Sequence, residues 1–280
     1  METLQPIQQT LGEIALGEID KQIPGALRTA FGLENFFALY LEPPHPRERR
    51  ERDGDEPRAL RMIWASCYAP RHNEDAHFGH NEAGIVGVAD GAAGTATKSA
   101  FLQVLATEPG PPVCPYTLLE QAYKETVASA ADGGSTAVIL SLAGTALKWA
   151  FIGDSAFSRQ QRRFNYPFQL NATGKGERVN KADVRKMAVR HGDVVVLGTD
   201  GLFDNMFDAE LEVVVRMGMA LGLSPKNMAD VVAGIAYEMS TSKTKDSPYN
   251  ADSRRIIDHR RGGKPYDITV VVAFIVSLYS

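Results

Sequence analysis

The chain has 280 residues, 44% hydrophobic and 23% charged, the ordinary balance of a soluble globular protein with room for a substantial core. A formal net charge of −4 supplies no broad basic field, which argues against nucleic acid or an anionic membrane as partner. Cys67 and Cys114 are far apart and lack metal-type spacing, so they read as reduced thiols of an intracellular protein, and no run of about eighteen apolar residues is present to span a bilayer.

Residues 3–24 place Leu4, Ile7, Leu11, Ile14, Ile19 and Ile23 at roughly helical spacing. This predicts a helix that either packs on the body or serves as a partner-binding arm. Neither a basic-then-apolar secretory signal nor an Arg-rich transit peptide fits a segment bearing Glu2, Glu13, Glu18 and Asp20. The expected location is intracellular and soluble, cytoplasmic by default, with an organelle still open. Residues 43–58 alternate proline and charge with almost nothing apolar, the pattern of a mobile surface linker. The chain therefore divides into an N-terminal helical extension and charged linker, 1–59, and one domain, 60–280.

From Leu60 strands interleave with helices. Strands are predicted at 60–67, Gly84–Asp90, Thr136–Leu142, Leu147–Asp154, Asp193–Gly198 and Ile268–Ser277. Helices are predicted at 95–107, 116–131, 209–221 and 225–242, the last started by Ser224 as a cap and Pro225 at the first helical position. The short Ala-Gly-Thr-Ala link between 136–142 and 147–154 leaves no space for a crossover helix, which favours an antiparallel hairpin. An α/β or α+β domain with central sheet and outer helices follows.

Aspartates recur where apolar strands end: Asp75 after Asn73-Glu74, Asp90 after GIVGVA, Asp154 after WAFIG and Asp200 after VVVLGT. A strand buried on both faces shows its first polar residue at the sheet rim, so several such ends can converge. Converging carboxylates repel one another, and a divalent cation relieves the repulsion. No His or Cys stands at these positions, which favours Mg²⁺ or Mn²⁺ over Zn²⁺. Any one Asp-Gly pair is equally at home in a turn; the combination carries the signal.

Seven segments occur together: NEDAHF (73–78), GVADGAAG (87–94), GGSTAVIL (133–140), FIGDSAF (151–157), FNYPFQL (164–170), GDVVVLGTDGLFDNM (192–206) and GGKPYDITVVVAFI (262–275). In this order they resemble the metal-dependent type 2C Ser/Thr protein phosphatases, and FNYPFQL resembles their compact single-domain branch. The resemblance implies an α+β fold, a four-layer αββα sandwich of two mostly antiparallel sheets flanked by helices. It also implies phosphoprotein substrates and a centre of two Mn²⁺ or Mg²⁺ ions, with a third, weaker site.

Carried over residue by residue, Asp90 bridges the two ions, the carbonyl of Gly91 completes one and Asp200 binds the other. Glu74 and Asp75 act mostly through metal-bound waters, so Asp90, Asp200 and Asp75 form the catalytic set. Asp154 and Asp204 match the weaker site, although Asp204 also reads as a helix cap and Asp154 as a hairpin turn residue. A water shared by the ions loses a proton near neutral pH and attacks phosphorus directly.

Three departures accompany the resemblance. Asp90-Gly91-Ala92-Ala93-Gly94 replaces the common Asp-Gly-His-Gly-Gly, so a histidine general acid, worth roughly 10²–10⁴-fold in rate, is absent. Arg71 stands near the place of the phosphate-contacting arginine, one residue out of register. Tyr266 occupies the position of a late metal-binding aspartate, and a neutral phenol is a poor ligand for a hard ion. Asp267 beside it can substitute as a ligand only through a local bulge, because neighbours on a strand face opposite ways. The alternative is a pseudophosphatase that binds phosphoproteins or a partner without turnover. A two-metal nuclease suits the carboxylates but not the charge balance.

Overall fold

A computed structural model describes residues 59–91, 94–107, 114–128, 134–153, 161–163, 166–167, 170–171, 179–253 and 262–278. The predicted N-terminal helix and linker, and Asp154, lie outside them. The first sheet has the order β1-β11-β10, from Leu60–Ala69, Ile268–Ser277 and Val194–Gly198. The second has the order β2-β3-β4-β5-β9, from Ala76–His80, Ile85–Asp90, Gly134–Ala143, Ala146–Ile152 and Asp183–Ala188. The short β8, Leu170–Asn171, pairs with the start of β4, while β6 (Gln161–Arg163) and β7 (Tyr166–Pro167) form a separate ribbon. Every strand pairing among the described residues is antiparallel.

The period-two alternation of side chains sorts these strands into layers. On β11, Val271, Ala273 and Ile275 enter the core between the sheets, together with Val195 and Leu197 of β10 and Val86 and Val88 of β3. The opposite faces serve two outer cores. Ile268, Val270 and Val272 pack with helices α4 (Asp208–Ala220) and α5 (Pro225–Thr241). Ile85, Ala89, Ala137 and Ile139 pack with α1 (Gly94–Thr107) and α2 (Pro115–Ala128). Helix, sheet, sheet, helix: the fold is the four-layer α+β sandwich expected.

Local expectations hold where the signal was strong. Ser224 caps α5 by accepting the Asn227 N–H at 3.2 Å, with Pro225 at the first position. The β4–β5 hairpin closes as Ala143 pairs with Ala146, with Gly144 at φ 61° in the turn. Five strands, β2, β6, β7, β8 and β9, and two short helices, α3 (Asp200–Phe203) and α6 (Pro248–Ser253), join the predicted set. No helix among the described residues is long and apolar enough to cross a membrane.

Candidate metal centre

Strand register decides which acids meet. Ala76 of β2 pairs with Ala89 of β3, so one step further along, Asp75 stands opposite Asp90. In the other sheet Gly198 pairs with Val270, which sets Thr199 opposite Thr269 just before Asp200. The two rims are joined through Asp75. Its Oδ2 accepts the Thr199 hydroxyl at 2.6 Å and the Thr269 hydroxyl at 2.8 Å, and the Thr199 Oγ1 also accepts the Thr269 N–H at 3.1 Å.

Asp75 is buried, and burial is the main reason its pKa is pushed up to about 7; the threonine hydroxyls oppose the shift, while the negative charges of Asp200 and Asp267 add to it. Asp90 ends β3 beside Gly91, whose φ of 113° lies in the region open to glycine. A Cβ on Gly91 would come within 2.5 Å of the Gly134 carbonyl.

Asp267 lies just ahead of β11, whose register with β1 runs unbroken from Ile268 to Ser277. Its Oδ1 accepts the main-chain N–H of Arg71 and, at 2.6 Å, that of His72. Its Oδ2 accepts Glu74 N–H at 2.6 Å, Asp75 N–H at 3.3 Å and the Tyr68 hydroxyl at 3.1 Å. Asn73, at φ 64°, supplies the left-handed bend that wraps this loop around the carboxylate. Burial alone would raise the Asp267 pKa, but the ring of N–H donors outweighs it and holds the carboxyl down at about 2. Glu74 and Arg71 are exposed on the loop so formed.

A cation already stands at the far side. Lys264 Nζ lies 2.5 Å from Asp200 Oδ2 and 2.8 Å from Asp204 Oδ2, with only 3% of the residue exposed. Burial pulls its pKa down, but the charges of Asp204 and Asp200 more than reverse this and hold it above the usual lysine range. Asp204 therefore ends α3 as its C-cap and pairs with lysine; the cap of the next helix is Phe207. Tyr266, 43% exposed, lays its ring 4.3 Å from the same ammonium.

Lys264, Thr199 and Thr269 were not singled out by sequence reasoning. Gly-Gly-Lys-Pro looks like a solvated turn, and bonds spanning 60 to 194 residues leave no local spacing to read. No model of a known family matches the sequence. Protein phosphatase 2C 23 of Oryza sativa subsp. japonica is 50% identical to it in an alignment spanning 99% of this chain and 98% of the relative.

The chain belongs to the type 2C protein phosphatase family.

Solved phosphatases share the fold. The photosystem II phosphatase PBCP is 27% identical with a TM-score of 0.66, covering 76% of this chain and 98% of that one. The catalytic domain of the serine/threonine phosphatase PstP, solved in complex with two manganese ions, is 19% identical with a TM-score of 0.53, covering 78% of this chain and all of that one. The donor chemistry in this type 2C chain fits a hard divalent cation. Its acids are oxygen ligands throughout, and a cation would relieve the repulsion that Asp200 and Asp267 add to the burial of Asp75. Among the described residues, no three His, Cys, Asp or Glu side chains form a ready-made cage.

Proposed function

We propose that this chain hydrolyses phosphoserine and phosphothreonine in proteins, using Mn²⁺ or Mg²⁺ held by Asp90, the Gly91 carbonyl and Asp200, with Glu74 and Asp75 acting through water. One observation carries the reading: Asp75, Asp90 and Asp200 stand at the rims of two sheets joined by the Asp75–threonine bonds, in a chain half identical to a protein phosphatase 2C. The manganese of the PstP catalytic domain supports the choice of ion.

When bound, the cation neutralises phosphoryl charge and lowers the pKa of a coordinated water. The chain's own residues arrange the rest. Thr199 and Thr269, from the ends of β10 and β11, brace Asp75 against the first sheet. Asp267 acts as a positioning residue, fixing the 71–75 loop that carries Glu74 and Asp75. Arg71, exposed on that loop, is the candidate contact for the substrate phosphate. No observation on the fold, the site or the relatives favours the pseudophosphatase reading.

The test is hydrolysis of a phosphothreonine peptide and an aryl phosphate across a Mn²⁺ titration, with Asp200→Ala as control. Metal-dependent turnover lost in the variant supports the enzyme. Turnover equal in both proteins, or absent from both, contradicts it.

A further inference from the structure

The segment 264–266 departs from a two-metal centre twice over. It lacks a carboxylate at Tyr266, and it brings a positive charge at Lys264. These changes are complementary, and the surroundings of Lys264 show a position built to hold a cation.

Its backbone is pinned from both sides by one buried side chain. The Lys264 N–H donates to Asn205 Oδ1 at 2.8 Å, and its carbonyl accepts from Asn205 Nδ2 at 2.8 Å. The same amide nitrogen donates to the Gly201 carbonyl at 2.8 Å, which ties the lysine to the helix turn that carries Asp200. Gly263 packs so closely that a Cβ there would meet the Met239 carbonyl at 2.1 Å. The ammonium itself sits between the two carboxylates and near the faces of two rings, Tyr266 at 4.3 Å and Tyr249 at 5.5 Å. Aromatic faces attract cations, and an ordered, desolvated ammonium is held only where opposite charge meets it closely.

A divalent ion on Asp200 and Asp204 would have to displace this tethered charge or share its carboxylates with it. Displacement must break two short ion pairs and leave an unpaired lysine buried. Sharing sets like charges beside each other in a poorly screened site. Replacing Tyr266 with a carboxylate would reduce the difficulty, but that residue is a phenol here.

We propose that the Lys264 ammonium, held between Asp200 and Asp204, takes the place of a second divalent ion, so that the centre binds a single divalent ion, gathered by Asp90, the Gly91 carbonyl and Asp200. The inference rests on the metal-dependent reading above and specifies how many ions that reading involves. The lysine also provides a fixed positive charge that does not leave on chelation.

The experiment counts ions on the full chain, stripped by chelation and equilibrated against rising free Mn²⁺, by elemental analysis and by the electron paramagnetic resonance of bound Mn²⁺. The expected result is a plateau at one ion with the uncoupled six-line spectrum of isolated Mn²⁺. In Lys264→Met, which keeps length without charge, a second ion is expected with half-saturation at least tenfold lower in Mn²⁺ than any second event in the unaltered protein. Two ions with a spin-coupled spectrum in the unaltered protein overturn the inference and leave the phosphatase reading standing. A folded Lys264→Met protein that still stops at one ion also overturns it. No bound ion at all overturns the metal-dependent reading itself. Should the variant not fold, the spectrum of the unaltered protein decides alone.

Discussion

Thr199 donates its hydroxyl to Asp75 across the junction of the two sheets, at 2.6 Å and out of contact with solvent. That bond makes the candidate metal centre and the inter-sheet packing one structure, since the acid on the β2 side is held by a residue from the β10 side. Thr199 also accepts the Thr269 N–H, whereas Thr269 gives Asp75 only its hydroxyl. Thr199→Val should therefore cost more than Thr269→Val. Each loses a hydrogen bond to a charged acceptor, worth about 1.5–3 kcal/mol, and the former also strands a buried N–H. Urea unfolding of both variants checks the order; equal losses would contradict the geometry.

Asp267 provides the pH prediction. Its folded-state pKa, about 2, lies below the ordinary aspartate value near 4, so its contribution to stability is complete above that value and disappears as pH falls toward 2. Asp267→Asn should destabilise the protein at pH 7, and the gap between the two proteins should narrow on acidification below pH 4. Denaturant midpoints at pH 6 and pH 3 measure this. A gap that widens in acid would mean the carboxylate is not the anchor of the 71–75 loop.

Gly201 fixes the distance between the helix turn bearing Asp200 and the start of β11. A Cβ there would stand 1.9 Å from the Asp267 carbonyl oxygen. Gly201→Ala should lower stability by about 1–3 kcal/mol and reduce metal-dependent turnover with it, because the backbone must move to make room. Thermal unfolding and a Mn²⁺-dependent assay on the same preparation test both effects.

Much of this was legible in advance, for physical reasons that differ by element. The strands β3, β4, β10 and β11 are apolar on both faces because each lies between two cores, and such runs stand out in a sequence. The edge strand β9, DVRKMA, is solvated and charged, and β2, AHFGH, is short and broken by a glycine that packs on Trp64, so neither carries a strand pattern. Among the acids, the strand-end positions of Asp90 and Asp200 were readable. The N–H groups that the Asp267 oxygens accept could be found only in the folded loop, because they lie more than 190 residues away. Lys264 was invisible for the same reason: its partners are 60 and 64 residues away.

Tyr266→Asp restores a carboxylate and removes the ring that covers Lys264. Mn²⁺ affinity should rise about tenfold or more, with turnover rising at limiting metal. Calorimetric titration of the variant against the unaltered chain reads the shift. Unchanged affinity and turnover together would mean that position 266 does not face the metal centre.

Metal-dependent turnover requires a divalent ion gathered by Asp90 with the acids of the opposing rim. Isothermal titration of metal-free protein with Mn²⁺, run in parallel on Asp90→Asn, tests this directly. Saturable uptake below millimolar metal, lost or weakened at least about tenfold in the variant, is the predicted result. No uptake by the unaltered chain, or the same uptake by both, would contradict it.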